Sequence, residues 1–202
     1  SYVARFQPDG ALDWELASPA GTEARGVGVQ PDGTIYVAGA RRTGINPERW
    51  DMEVSVYGPD KTAYGPIAYK DPDDKKNDRS ERGRAVAVLA SGRVVIAGTG
   101  EIVGPNNEWI TRGVVLLFEG KGKRVGEWTS SGDKLEHDAI LAAVATDEGF
   151  ATCGHAYANP NMPGSKSQIL VRWHGPDLQE VKAPRLETTP GAAVCNALGY
   201  NM

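Results

Sequence analysis

Hydrophobic residues along this 202-residue chain fall in short runs, each broken by a turn signal, with no sustained helical period. Val94-Val-Ile-Ala97 and Val114-Val-Leu-Leu-Phe118 are apolar at consecutive positions. In a strand, neighbouring side chains point to opposite faces, so such runs predict strands buried between two layers. The best helical candidate, Leu135–Val144, aligns better as the first strand of a repeat.

The runs recur. Arg25-Gly-Val-Gly-Val-Gln-Pro-Asp-Gly-Thr-Ile-Tyr-Val-Ala-Gly39 matches Arg84-Ala-Val-Ala-Val-Leu-Ala-Ser-Gly-Arg-Val-Val-Ile-Ala-Gly98, and more weakly Leu141-Ala-Ala-Val-Ala-Thr-Asp-Glu-Gly-Phe-Ala-Thr-Cys-Gly154. The turn glycines Gly33, Gly92 and Gly149 are 59 and 57 residues apart, and the strand-ending glycines Gly39, Gly98 and Gly154 are 59 and 56 apart. Two markers with nearly one period indicate a repeat architecture. A second element follows each copy: Val54–Lys61, Val115–Gly122 and Leu170–Asp177, each a strand entering a turn, with Tyr2–Gly10 as an opening example. Pro presets the turn, while Asp and Gly supply the side-chain hydrogen bond and the positive φ it needs.

Each period therefore predicts four strands, a to d. In the first full copy, a is Gly26–Gln30, b is Thr34–Gly39, c is Asp51–Tyr57 and d is Ala63–Tyr69. The expected fold is all-β, a propeller or partial propeller of four-stranded antiparallel blades. The repeats are 1–21 (partial), 22–80, 81–136, 137–190 and 191–202 (partial), one domain with three complete blades. On this phase the chain starts at strand c and stops within a further strand a. That fits a portion of a larger propeller, completed by other blades of the same protein, or a small four-bladed ring closed by a composite blade. The first is favoured because unpaired sheet edges are otherwise left open.

Arg5-Phe-Gln-Pro-Asp-Gly-Ala-Leu-Asp13 and Val29-Gln-Pro-Asp-Gly-Thr-Ile-Tyr-Val-Ala-Gly39 resemble the repeats, about 55–60 residues long, of β-propellers in bacterial secreted and surface proteins. The second copy keeps Ser91-Gly92 without Pro-Asp, and the third has Asp147-Glu148-Gly149. The resemblance implies a fold and an extracellular, cell-surface or periplasmic setting. It implies no activity.

Strand direction gives the blades two unlike ends. The a–b and c–d connections are tight, at Pro31-Asp-Gly33, Ser91-Gly92, Pro59-Asp60 and Pro176-Asp177. The others are long: Arg41–Trp50, Gly100–Trp109, Ala158–Ser167, Asp71–Arg82 and Thr129–His137. Elaborated loops on a rigid scaffold carry binding, so a functional face is expected at the long-connection end. Its candidate binding residues are Arg41, Arg42, Trp50, Glu101, Asn107, Trp109, His155 and Tyr157. Trp50 and Trp109 close two of these connections; each either anchors a partner or caps the edge of its blade, and the cap is the commoner role for such a residue.

Charge and titratable chemistry narrow the functions. Twenty-two basic against 26 acidic residues leave a net charge of −4, which argues against nucleic acid as partner. No apolar run approaches the ~20 residues of a membrane-spanning helix. The run Asp71–Arg82 lacks the order of a calcium loop, and its Lys and Arg oppose a dication; it reads as a solvated loop. His174 aligns with Phe6, Tyr57 and Phe118 and replaces a packing aromatic. His155 shares a strand face with Cys153, but Cys153 aligns with Ala38 and Ala97, a slot for a small buried residue. Cys153 and Cys195 either form one bridge or remain buried thiols. No catalytic, metal or cofactor motif is present. The expected function is a non-catalytic binding or scaffolding propeller for a protein or glycan. The alternatives are a polysaccharide-acting hydrolase or lyase, drawing on Glu101, His137, Asp138 and His155, and a purely structural segment of a large surface protein.

Overall fold

The computed structural model describes residues 2–45, 48–70, 80–103, 109–130, 137–157 and 167–188. All regular structure among them is strand. β1 (Tyr2–Phe6) and β2 (Leu12–Ala17) form an antiparallel pair. Three four-stranded antiparallel sheets follow. The second sheet holds β3 (Thr22–Val29), β4 (Ile35–Ile45), β5 (Glu48–Tyr57) and β6 (Ile67–Tyr69). The third holds β7 (Arg82–Val88), β8 (Val94–Val103), β9 (Trp109–Glu119) and β10 (Lys123–Thr129). The fourth holds β11 (His137–Thr146), β12 (Gly149–Tyr157), β13 (Ser167–His174) and β14 (Glu180–Thr188). In each, sequence order is spatial order, so each is a meander with the four strands the repeat predicts. The stretch that competed as a helix is β11.

The sheets stack in series. Tyr36, Ala38, Met52, Val54 and Val56 of the second sheet pack against Val94, Ile96, Val114, Leu116 and Phe118 of the third. The intervening residues Val95, Ala97, Val115 and Leu117 turn the other way, onto Ile140, Phe150 and Leu178 of the fourth. β8 and β9 are thus apolar on both faces because both faces are buried. The first sheet joins through Val3 and Trp14 against Ile35 and Val37. The first strands lie side by side, β3 against β7 and β7 against β11. Space there is short: a Cβ on Gly26 would come 2.9 Å from the Ala85 Cα.

One irregularity recurs at the same repeat position. The register of strand a on strand b slips at Arg25, at Arg84 and at Leu141, an extra residue each time. The resulting β-bulge drives a carbonyl oxygen toward strand b. A Cβ on Gly39, Gly98 or Gly154 would overlap the carbonyl oxygen of Glu23, Arg82 or Ala139 respectively. The glycines that mark the repeat are therefore required by space, opposite a bulge.

The tight turns share one chemistry. The N–H of Gly10, Gly33, Lys61, Gly92 and Leu178 donates to the carbonyl three residues earlier, at 2.8–3.1 Å. Those five residues have φ of 86, 86, 71, 79 and 69°, the left-handed turn conformation. The carboxylates of Asp9, Asp32 and Asp60 accept the N–H two residues on, at 3.0, 2.9 and 3.1 Å. His174 packs as an aromatic: it stacks on Phe150 (centroids 4.7 Å, 8° between planes) and meets Trp128 edge-on at 4.9 Å.

The b–c connections depart from the expectation. The described part of Arg41–Trp50 is paired: β4 and β5 continue as an arm, with Arg41 opposite Asp51, Arg42 opposite Trp50 and Ile45 opposite Glu48. β8 and β9 likewise pair out to Val103 and Trp109, whereas β12 and β13 pair only to Tyr157 and Ser167, and 104–108 and 158–166 lie outside the described residues. Cross-strand backbone pairing holds the first arm together although its sequence carries no apolar alternation, whereas the second pairs Ile102 with Ile110 and Val103 with Trp109.

Two outcomes are expected. Gly98→Ala destabilises the protein by roughly 2–3 kcal/mol in urea unfolding, since either the bulge or strand b must move. Burial holds the His174 imidazole down at about 4, against an ordinary 6.5, so it is neutral in the fold. Its stabilisation is full above pH 6.5 and is lost as pH falls toward 4, on the order of 3 kcal/mol in all. His174→Phe should keep the stack and flatten that part of the stability–pH curve.

Candidate functional site

The two ends of the stack differ in what their polar groups do. At the tight-turn end, the groups tie one sheet to the next. The Gln30 side-chain amide donates to the Gly92 carbonyl, and the Tyr36 hydroxyl donates to the Gly120 carbonyl while accepting the Gly122 N–H at 3.0 Å. The Arg93 guanidinium pairs with Asp177 at 3.0 Å and, within its own sheet, with Glu119.

The opposite end carries the paired arms and the starts of the first strands, and it gathers the chemistry. Trp50 is buried, and the Arg82 guanidinium lies over its ring at 5.1 Å. Its backbone is clamped by the next sheet: the Trp50 N–H meets Ser80 Oγ at 3.3 Å, and the Glu81 N–H donates to the Trp50 carbonyl at 2.7 Å. The Ser80 N–H in turn donates to the Glu101 carboxylate at 3.1 Å. Ser80–Arg82 therefore joins Trp50 and Glu101 across two sheets. Trp50 caps the edge of its sheet and offers no open ring face for stacking.

Arg41 pairs with the buried Glu53 at 3.4 Å while its own side chain is 47% exposed. Burial raises the Glu53 carboxyl above its ordinary value, and Arg41 pulls it back down. Arg42 is exposed, its N–H bound to the Gly21 carbonyl at 2.8 Å. Two arginines thus stand at the root of the first arm, Arg42 exposed and Arg41 half-exposed while paired with Glu53.

Deeper lies a second group. On β11, Asp138 is buried and pairs with Arg172 of β13 at 2.5 Å; the Arg172 guanidinium also covers Trp128 at 5.3 Å. His155 on β12 is half-buried. Burial lowers its imidazole pKa; the Asp138 charge raises it and Arg84 lowers it again. Arg84, at the bulge of β7, is itself lowered by burial and by the like charges of Arg25 and Arg82, with Glu23 opposing. A bulge re-aims the side chain it inserts, so the repeated bulge brings Arg25 and Arg84 into one cationic row on the first strands.

Of the remaining predicted residues, Trp109 starts β9 and Tyr157 ends β12, while Asn107 lies outside the described residues. Sequence reasoning missed Ser80, Arg82, Arg84 and Arg172. Arg84 had a signal, because Arg25 and Arg84 open the two best-matched copies. Cys153 is disulfide-bonded, and Cys195 is the chain's other cysteine. That removes the free-thiol alternative and, with it, a thiolate site between Cys153 and His155. Among the described residues, no three His, Cys, Asp or Glu side chains gather where a metal ion would sit. No family model and no curated protein matches this chain.

Asp138→Asn should cost about 3 kcal/mol in urea unfolding, because Arg172 is left buried against a neutral partner. It should also lower the His155 pKa followed by NMR, since the Asp138 charge raises it. An unchanged His155 titration would refute the coupling.

Proposed function

We propose that the chain is a propeller-type, non-catalytic binding module that engages a protein or glycan with its long-connection end. The observation that carries this reading is the pair of arginines at that end. Both ends hold sheets together, but the long-connection end also sets Arg42, exposed, and Arg41, paired with Glu53 yet 47% exposed, at the root of a paired arm. Consecutive meander sheets with side-by-side first strands support the propeller arrangement, as does the repeat's resemblance to secreted and surface propellers. The bond at Cys153 supports a setting outside the cytoplasm, where disulfides persist. A polysaccharide-cleaving reading draws less support, because Asp138 is committed to Arg172 and Glu101 to the Ser80 N–H.

The test is charge reversal at the two ends. For any glycan or protein retained by the chain on arrays of bacterial surface components, Arg41→Glu with Arg42→Glu should weaken binding about tenfold or more. Lys61→Glu, at a tight turn, should leave it unchanged. Loss with Lys61→Glu and none with the arginine pair would overturn the placement.

A further inference from the structure

Across the sheets, partly buried arginine charge is compensated, and β7 carries the exception. Arg5, Arg25, Arg41, Arg93, Arg124 and Arg172 each pair with a carboxylate at 2.5–3.7 Å. Arg82 lies over the Trp50 ring. Arg84 is half-buried and has neither: among the described residues it makes no hydrogen bond or ion pair, and its Nε is buried without a partner. Its place in the fold explains the lack. β7 is flanked by first strands on both sides, β3 and β11, whose bulge positions hold Arg25 and Leu141. A Cβ on Gly26, next to Arg25, would come 3.0 Å from the Arg84 carbonyl oxygen, so the bulges of β3 and β7 adjoin. Glu23, the carboxylate whose charge reaches Arg84, is already taken by Nε and Nη2 of Arg25, at 3.0 and 2.9 Å.

We propose that Arg84 is the receiving group of an oxyanion site on the first strands, where it takes a carboxylate or sulfate of the ligand. A partly buried guanidinium among like charges costs stability until an anion completes it, and charge left in that state is a mark of binding sites. Geometry sets the like charges here: Arg25 stands at the adjoining bulge, and Arg82 lies two residues back on the same strand. The Nε of Arg84 is closed off, so the anion meets the outer N–H groups of the guanidinium. Arg25 and Arg82 add attraction at longer range, Arg82 steadied by the Trp50 ring. Occupancy has a second effect. The Arg84 charge lowers the His155 pKa, so an anion that masks it raises that pKa. In making the anion part of the ligand of the long-connection end, the assignment rests on the function proposed above. The anion by itself needs neither Arg41 nor Arg42.

The probes are sodium acetate and sodium sulfate, titrated at fixed ionic strength into the isotope-labelled chain. At least one should shift the Arg84 side-chain signal saturably, with a midpoint in the millimolar range, and raise the His155 pKa followed by NMR. The tighter of the two tells a carboxylate-bearing ligand from a sulfated one. Arg84→Met keeps the aliphatic stem; it should weaken anion binding about tenfold or more and abolish the effect of the anion on His155. It should also raise Tm in the absence of anion, because an uncompensated charge is removed. Arg84→Lys, which keeps the charge, should retain binding within a few fold. Arg41→Glu with Arg42→Glu should leave anion binding unchanged, so failure here is distinguishable from failure of the binding end. The proposal fails if neither anion binds saturably, if binding is indifferent to Arg84→Met, or if the Arg41 and Arg42 substitutions abolish it.

Discussion

In each four-stranded sheet, a carbonyl oxygen of the first strand occupies the space where any side chain on the facing residue of the second strand would have to begin. The contact follows from the extra residue at Arg25, Arg84 and Leu141, and it is tolerated because Gly39, Gly98 and Gly154 have no Cβ. Much of the molecule depends on it. The bulge twists the first strand, and the first strands of successive sheets then approach closely enough that Gly26 and Gly28 are the residues that fit against β7. With those strands drawn together, the broad faces of β4, β5, β8 and β9 can be buried against one another as continuous aliphatic layers.

The two ends of this stack solve different problems. Tight turns leave little chain to spare, so their polar groups reach only adjacent turns, and they do so repeatedly: Gln30 to Gly92, Tyr36 to Gly120, Arg93 to Asp177. The paired arms and strand starts opposite place arginines close together. Glu53 and Asp138 are spent on Arg41 and Arg172. On the first strands Arg25 pairs with Glu23 at 2.9 Å, and Arg84 feels the like charges of Arg25 and Arg82.

The elements legible in the sequence were those set by local chemistry. Pro-Asp-Gly turns announce themselves, and runs such as Val114–Phe118 can be satisfied only by burial on both faces. Cross-strand partnership was not legible. Arg41-Arg-Thr-Gly-Ile-Asn46 reads as a polar loop because nothing local records that Asp51 and Trp50 face it across a ladder. Trp50 read more readily as a cap than as an anchor, and the decision rested on Arg82, 32 residues away. The Asp138–Arg172 pair spans 34 residues and belongs to strands that meet β12 from opposite sides.

Because each hydrophobic cluster among the described residues joins one sheet to the next, the stack behaves as a row of coupled units rather than as one core. The cluster holding the first sheet, around Val3 and Trp14, is small beside the others. Loss of order should therefore travel: β1 and β2 release first, which uncovers Ile35 and Val37, and the second sheet then yields before the third. At the far end, Cys153 is disulfide-bonded in a slot that Ala38 and Ala97 fill elsewhere. The molecule has a direction in which it comes apart.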